Sequence, residues 1–132
     1  MSYVLDTHAL LWVLFKPDAL SAGVREIVED TQNEVYTSAV AFWEISLKYS
    51  LGKLELEGAD PETLPEAAEK SGIAVLELDV DVLSSYHRLV KTKHRDPFDR
   101  LIIWQCIKTR STLLSKDPHM KLYERAGLLH QW

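Results

Sequence analysis

The chain has 132 residues, of which 46% are hydrophobic and 27% charged, and its formal net charge is −5. Those figures describe one globular domain, residues 1–132, with enough apolar content for a core of its own. The longest apolar run, Ala9 to Phe15, falls far short of the ~20 residues needed to cross a bilayer. No Lys or Arg precedes that run, so it also lacks the charged start of a signal peptide, and a cytoplasmic protein with no membrane contact is expected. The single cysteine, Cys106, excludes an intrachain disulfide and a multi-cysteine zinc site.

Taken in chain order, Ser2 to Leu5 reads as a short buried strand that ends at Asp6. A mostly apolar helix follows over 7–15 and stops near Lys16-Pro17, because proline disfavours helix in the residue before it. Ser21 is an N-cap candidate for a second helix with Val24, Ile27 and Val28 on one face. Glu34 to Thr37 is a second strand, and residues 39–51 form a helix closed by Gly52. Thr63-Leu-Pro-Glu66 has the capping-box pattern, with Gly72 ending the short helix it opens. Ile73 to Leu78 is a third strand. Asp79 then caps a helix whose Val82, Leu83, Tyr86, Leu89 and Val90 face inward.

After a basic loop at Lys91 to His94, Pro97 opens a helix through about Thr109. Thr112 to Ser115 is a fourth strand, and Asp117-Pro118 starts a last short helix. Leu128 to Trp132 can add an edge strand. Strands alternating with helices predict an α/β fold, a mostly parallel sheet with helices on both faces. The order of its strands does not follow from the sequence.

Charge is unevenly spread. Residues 1–90 carry 6 Lys+Arg against 16 Asp+Glu, and residues 91–132 carry 9 against 4. Three of those four late acids, Asp96, Asp99 and Asp117, stand where strands hand over to helices. The nine late cations can therefore either form a phosphate-binding patch beside them or scatter over a solvated surface.

The acids carry the chemistry. Asp6, Glu44, Asp99 and Asp117 each lie at or just after a strand-to-helix junction, and in an open parallel sheet those junctions share one edge. Singly, Asp6 and Asp117 are explained as helix caps and Asp99 as a first-turn acid favoured by the helix dipole. Glu44 is harder to explain that way. It falls on an apolar stripe with Val40, Trp43, Leu47 and Leu51, where a carboxylate is disfavoured unless paired or bound to a cation. Lys48, one turn on, offers only a weak surface pairing if the two are exposed. The second apolar face of this helix, Phe42, Ile45 and Tyr49, suggests contact with another chain.

Four converging carboxylates suit Mg2+ or Mn2+, which prefer oxygen ligands. Such an ion polarises a phosphoryl oxygen and makes hydroxide available near neutral pH, so the reaction class is phosphodiester hydrolysis. Ser38 and Ser115 flank the junctions and can orient water or phosphate, or simply finish strands. Arg100 is a candidate for a phosphate contact or for pairing with a site carboxylate. No histidine has zinc spacing, and none is expected as an obligatory ligand.

The segments Val-Leu-Asp-Thr-His-Ala-Leu-Leu-Trp at 4–12, Ser-Ala-Val-Ala-Phe-Trp-Glu-Ile at 38–45, His-Arg-Asp-Pro-Phe-Asp-Arg-Leu-Ile at 94–102 and Leu-Leu-Ser-Lys-Asp at 113–117 occur in the order found in PIN-domain proteins. The chain resembles the VapC-type toxin ribonucleases of bacterial type II toxin–antitoxin pairs. The resemblance implies a Mg2+- or Mn2+-dependent endoribonuclease on an α/β/α sandwich, cutting RNA to 5′-phosphate and 3′-hydroxyl ends. It also implies a homodimer held inactive by a cognate antitoxin. Carried over by motif, Asp6, Glu44, Asp99 and Asp117 match the family's acidic quartet, with Asp6 and Asp99 the most regular metal positions. Asp96 is auxiliary, as a cap for the helix opened by Pro97. Ser115 stands where threonine is more usual, and Ile103 to Cys106 replace smaller residues, leaving the helix packing and the dimer surface open. The alternative is a non-catalytic PIN-fold module that binds RNA or protein.

Overall fold

The computed structural model describes all residues, 1–132. Five strands form one sheet in the order β3-β2-β1-β4-β5, with β1 Ser2–Leu5, β2 Glu34–Ser38, β3 Ala74–Leu76, β4 Thr112–Leu114 and β5 Leu129–Gln131. Every neighbouring pair is parallel. The helices are α1 Thr7–Phe15, α2 Ala22–Glu29, α3 Ala39–Ser50, α4 Leu64–Lys70, α5 Val80–Ser85 and α6 Pro97–Thr109, with 3-10 turns between them. The α/β class expected from the alternation is the one found. No helix is long and apolar enough to cross a membrane.

Alternation along β1 builds the two halves of the core. Tyr3 and Leu5 point to one side of the sheet and pack with Leu10, Val24, Ile45, Leu64 and Ile73. Val4 points to the other and packs with Ile102, Ile103, Met120 and Tyr123. Both faces of the sheet are covered, as a parallel sheet requires. The same alternation splits β4, with Leu114 on the first side and Leu113 on the second. Cys106 is buried in the second half, and burial pushes its thiol far up, which makes it an inert packing residue.

Local chemistry sets the boundaries. Asp96 accepts hydrogen bonds from the backbone N–H groups of Phe98 and Asp99, at 2.9 and 3.0 Å, and so starts α6 with Pro97 at its first position. At its far end α6 stops on Arg110 in the left-handed region, with no glycine there. The expected capping box at Thr63 does not form. Pro61 opens a 3-10 turn one step earlier, Thr63 is already helical, and its hydroxyl donates to the carbonyl of Asp60. The third strand is also shorter than the run Ile73 to Leu78, because β3 is an edge strand paired on one side only. The segment after Asp117 is 3-10 helix over Pro118–Ala126, closed by Gly127 at positive φ.

Candidate active site

Because all five strands are parallel, their carboxyl ends lie on one edge, and the central trio β2-β1-β4 delivers the acids to it. Asp6 follows β1, Ser38 closes β2 and leads into α3, and Ser115 with Asp117 follow β4. Helix α6 enters the same edge by its N-terminus and brings Asp99 in its first turn.

Asp6 is buried and caps α1, accepting from the Ala9 N–H at 2.8 Å. Its burial raises the carboxyl above the ordinary value, against the opposing hydrogen bonds from Ser115 and Ala9. Ser115 is thereby fixed between two acids, since its hydroxyl also accepts from the backbone of Asp117 at 3.2 Å. Ser38 is fully buried and caps α3 through the N–H of Val40.

Glu44 is buried at 2% exposure. One of its oxygens accepts from the Thr7 hydroxyl at 2.6 Å, and the other is paired with Lys48. Lys48 is held above its ordinary value: its partial burial acts downward and is outweighed by Glu44, with Asp96 and Asp99 adding to the pull. The i,i+4 partner weighed as a surface pairing is therefore a cation set among three carboxylates.

Asp99 is in the opposite position. Burial, then the charges of Asp96, Glu44, Asp6 and Asp117, push its carboxyl up from 3.8 to about 7. Asp6, Glu44, Asp96 and Asp117, far apart in the chain except for Asp96, thus lie near enough for their charges to act on one carboxyl, and Asp6 and Asp117 border one open cleft.

Two histidines join them. Nε2 of His94 lies 3.2 Å from Asp99, and Nδ1 of His119 lies 2.8 Å from Asp117. The two imidazoles stack with centroids 4.8 Å apart. Burial and the neighbouring His119 hold His94 below the usual imidazole value. At Asp117 partial burial acts upward, but the backbone and ring of His119 outweigh it and the carboxyl is lowered. His94, Asp117 and His119 present ligand atoms within 4.8 Å of one another, a group able to hold a metal ion.

Arg100 does not pair with a site carboxylate. Its guanidinium donates to the Tyr86 hydroxyl, the Val90 carbonyl and the Tyr123 hydroxyl at 3.0 to 3.1 Å. Tyr123 in turn shares a 2.9 Å hydrogen bond with Nδ1 of His94, so Arg100 reaches the pocket only through two intermediaries. Sequence reasoning passed over Thr7 and Tyr123, and set His94 and His119 aside as obligatory ligands. Thr7 had one signal, its place beside Asp6 at the start of a helix; the other three meet only across the fold.

The donor set fits a hard dication. Asp6, Asp99 and Asp117 supply oxygens, and crowding without enough positive charge to balance it is what a cation relieves. Glu44 already has Lys48 as its counter-ion.

Comparison with known proteins agrees with this architecture. A family model described as PIN domain matches residues 3–126. Ribonuclease VapC16 of Mycobacterium tuberculosis is 34% identical over 55 residues, 42% of this chain and 39% of that protein, so the match spans well under half of the relative's length. Among solved structures, a DNA-bound VapBC from Salmonella typhimurium superposes with TM-score 0.67 at 17% identity over 99% of this chain and 97% of that one. VapBC2 from Rickettsia felis, bound to a DNA fragment from its promoter, gives TM-score 0.65 at 17% identity over 99% and 98%. At such identities the structures speak to the fold alone. With the family model covering almost the whole chain, this protein belongs to the PIN domain family.

Proposed function

We propose that this protein is a metal-dependent endoribonuclease that hydrolyses RNA phosphodiester bonds as the toxin of a toxin–antitoxin pair. The observation that carries the reading is Asp99, whose carboxyl is pushed up to about 7 by its burial and then by the charges of Asp96, Glu44, Asp6 and Asp117. Pockets that shift carboxylates this far are typical of catalytic sites. The family membership, the ribonuclease name of the Mycobacterium tuberculosis relative and the VapBC neighbours support the same reading.

In this reading Asp6, Asp99 and Asp117 hold Mg2+ or Mn2+, with Glu44 nearby and the imidazoles of His94 and His119 adding nitrogen donors that favour Mn2+. The bound ion would polarise a phosphoryl oxygen and lower the pKa of a water. The chain's own residues hold the geometry. Asp96 fixes the first turn of α6 and hence Asp99, Ser115 steadies Asp6 and Asp117, and Thr7 with Lys48 holds Glu44.

An antitoxin partner and a homodimer both need apolar surface, and the α3 side offers it. Trp43 and Leu51 are 62% and 58% exposed. Trp43 meets Phe98 edge-on and, with Val40, Leu83 and Leu101, lines a groove of about 260 Å3. Cytoplasmic RNA is the substrate.

RNA cleavage by the purified protein in Mn2+ or Mg2+ is the test, with Asp6→Asn and Asp99→Asn purified alongside to expose contaminating ribonuclease. Each substitution should lower cleavage by about a hundredfold or more. Variants that remain folded and cut like the parent would overturn the assignment. The non-catalytic alternative gains from one observation, that Lys48 already neutralises Glu44; it requires that calorimetry detect no Mn2+ binding.

A further inference from the structure

The two imidazoles make one corner of the site chemically unlike the rest. His94 comes from the loop before α6 and is 6% exposed, while His119 comes from the segment after β4 and its side chain is 46% exposed. With Asp117 they offer one ligand atom each within 4.8 Å. Asp99 adds a fourth, its Oδ2 lying 3.2 Å from Nε2 of His94. This corner therefore holds two nitrogens and two oxygens, whereas Asp6, which shares a cleft with Asp117, offers oxygen only.

Hydrogen bonds behind His94 fix which of its nitrogens is free. The Tyr123 hydroxyl accepts from Arg100 at 3.0 Å and donates to the His94 carbonyl at 3.3 Å. Its remaining lone pair can only accept, so Nδ1 of His94, 2.9 Å away, carries the ring proton and Nε2 is bare. A ring whose other N–H is held by an oxygen is the usual state of a metal-ligating histidine. Tyr123 is buried, and Arg100 is tied to Tyr86 and Val90 as well, so the ring's aim is rigid. Bare Nε2 and the Asp99 oxygen then face each other as two acceptors, which a proton or a cation must join.

Around a tetrahedral ion with bonds of ~2.0 Å, neighbouring ligand atoms stand about 3.3 Å apart. The His94–Asp99 distance of 3.2 Å already has that size, and His119 and Asp117 are 2.8 Å apart. His119 stacks on His94, and its exposure lets it turn from the stack to an ion. Zn2+ suits this set, since it takes four ligands, favours imidazole and binds nitrogen more tightly than Mn2+ does. Mg2+ prefers six oxygens. The single cysteine, Cys106, is buried, so no thiolate competes for zinc.

We infer that His94, Asp99, Asp117 and His119 form a closed Zn2+ site, and that zinc bound there excludes the Mg2+ or Mn2+ that supports cleavage. Asp99 and Asp117 are ligands in both arrangements, and turning them to zinc leaves Asp6 alone for a second ion. Four protein ligands leave no open position, so the zinc form holds no activated water. The inference rests on the metal-dependent ribonuclease reading and adds its regulation, silencing by zinc.

The test uses tag-free protein and three readouts. Competition with a chromophoric chelator gives the Zn2+ affinity. Co2+ in place of zinc gives the coordination, because four-coordinate Co2+ absorbs visible light far more strongly than six-coordinate Co2+. Electron paramagnetic resonance gives displacement, because free aqueous Mn2+ has a sharp signal that the bound ion lacks. One equivalent of Zn2+ should bind and release the bound Mn2+, and Co2+ should show the intense four-coordinate spectrum. His119→Ala, at a half-exposed position, should lower Zn2+ affinity about a hundredfold and change Mg2+ affinity less than about threefold. Tyr123→Phe, which removes the acceptor for Nδ1, should lower Zn2+ affinity about tenfold. His87→Ala, at an exposed histidine outside the cluster, should bind zinc like the parent. In Mg2+-supported cleavage one equivalent of Zn2+ should suppress the reaction, and His119→Ala should need at least about tenfold more zinc.

The inference is overturned if zinc binds no more tightly than Mn2+, if His119→Ala binds it like the parent, or if Co2+ is six-coordinate. Zinc and Mn2+ bound together, or cleavage supported by zinc itself, would overturn it too. A protein that cuts RNA and gives any of these results loses the zinc site and keeps the ribonuclease reading. One that binds zinc as described and releases Mn2+ but never cuts upholds the site and refutes that reading.

Discussion

Glu44 and Asp99 stand on helices that pack together, α3 and α6, near enough for the charge of one to act on the other, yet their surroundings differ in sign. Glu44 has a donor on each oxygen, the Thr7 hydroxyl and the Lys48 ammonium, and is nearly sealed from solvent. Asp99 has one hydrogen-bonding neighbour, His94, itself held below the usual imidazole value, and is raised by burial and by four acids acting against it. A buried carboxylate with a counter-ion is structurally settled, whereas one among like charges is a group awaiting a cation. The α3 half of the pocket is built to be stable as it stands, and the α6 half is built to bind. That division gives each helix a separate experimental signature.

The largest effect should come from the α6 half. Asp99 in the folded chain holds its proton up to about 7, while the unfolded value is near 3.8. Its contribution to stability is therefore complete below pH ~4 and is lost as pH rises through about 7. The full span is on the order of 4 kcal/mol, reduced in practice because the side chain is 22% exposed. Asp6 is raised as well and works in the same direction. In EDTA the melting temperature should thus fall by several degrees between pH 4.5 and 7.5, and Asp99→Asn should flatten most of that slope and melt higher at neutral pH. Added Mn2+ should flatten it in the parent and have little effect on the Asn variant. A parent with a flat profile in EDTA would mean that the four acids do not crowd Asp99.

On the α3 side the expectation reverses. Lys48→Met removes the counter-ion of a buried acid and should destabilise the fold by about 1–3 kcal/mol at pH 7, since an unpaired buried charge is worse than no charge. Glu44→Gln with Lys48→Met should recover part of that loss, because the amide can still accept from Thr7. Chemical denaturation of the single and double variants measures the coupling. If Lys48→Met is as stable as the parent, Glu44 does not depend on Lys48, and the contrast between the two halves is mistaken.

What the sequence disclosed tracks how local each feature is. Helix α6 was legible from Asp96-Pro97 to Thr109 because its cap and first-turn proline act within three residues. The α/β class was legible from alternation alone. The strand order was not, since a parallel neighbour is chosen by a crossover and by which face each helix covers, and no short pattern records that. Thr63 failed as a capping box for a nearby reason: Pro61 had already begun the turn. Lys48 was visible as an i,i+4 partner and undervalued, because its strength comes from burial and from Asp96 and Asp99, which lie some fifty residues away. His94 and His119 lie near acids in the sequence but without ligand spacing; they stack only because the loop leading into α6 and the segment after β4 meet at the same sheet edge. Asp6, Asp99 and Asp117 stood out in the sequence as acids at junctions, but their mutual influence depended on every strand running the same way.

The smallest effect should come from Arg100, which lies behind the α6 half. Its three hydrogen bonds go to Tyr86, Val90 and Tyr123, and Tyr123 holds the His94 ring that meets Asp99. Arg100→Lys keeps the charge and loses the planar fork, which should lower stability by about 1 kcal/mol. If Arg100 acts only by positioning, cleavage should fall less than tenfold through kcat, with KM unchanged. Tyr123→Phe, which removes the same relay without touching any charge, should reproduce that pattern. A several-fold rise in KM for Arg100→Lys, with Tyr123→Phe silent, would instead place the guanidinium on the substrate phosphate. The α6 half would then bind RNA as well as metal, and the separation of the two helices' roles would have to be redrawn around Arg100.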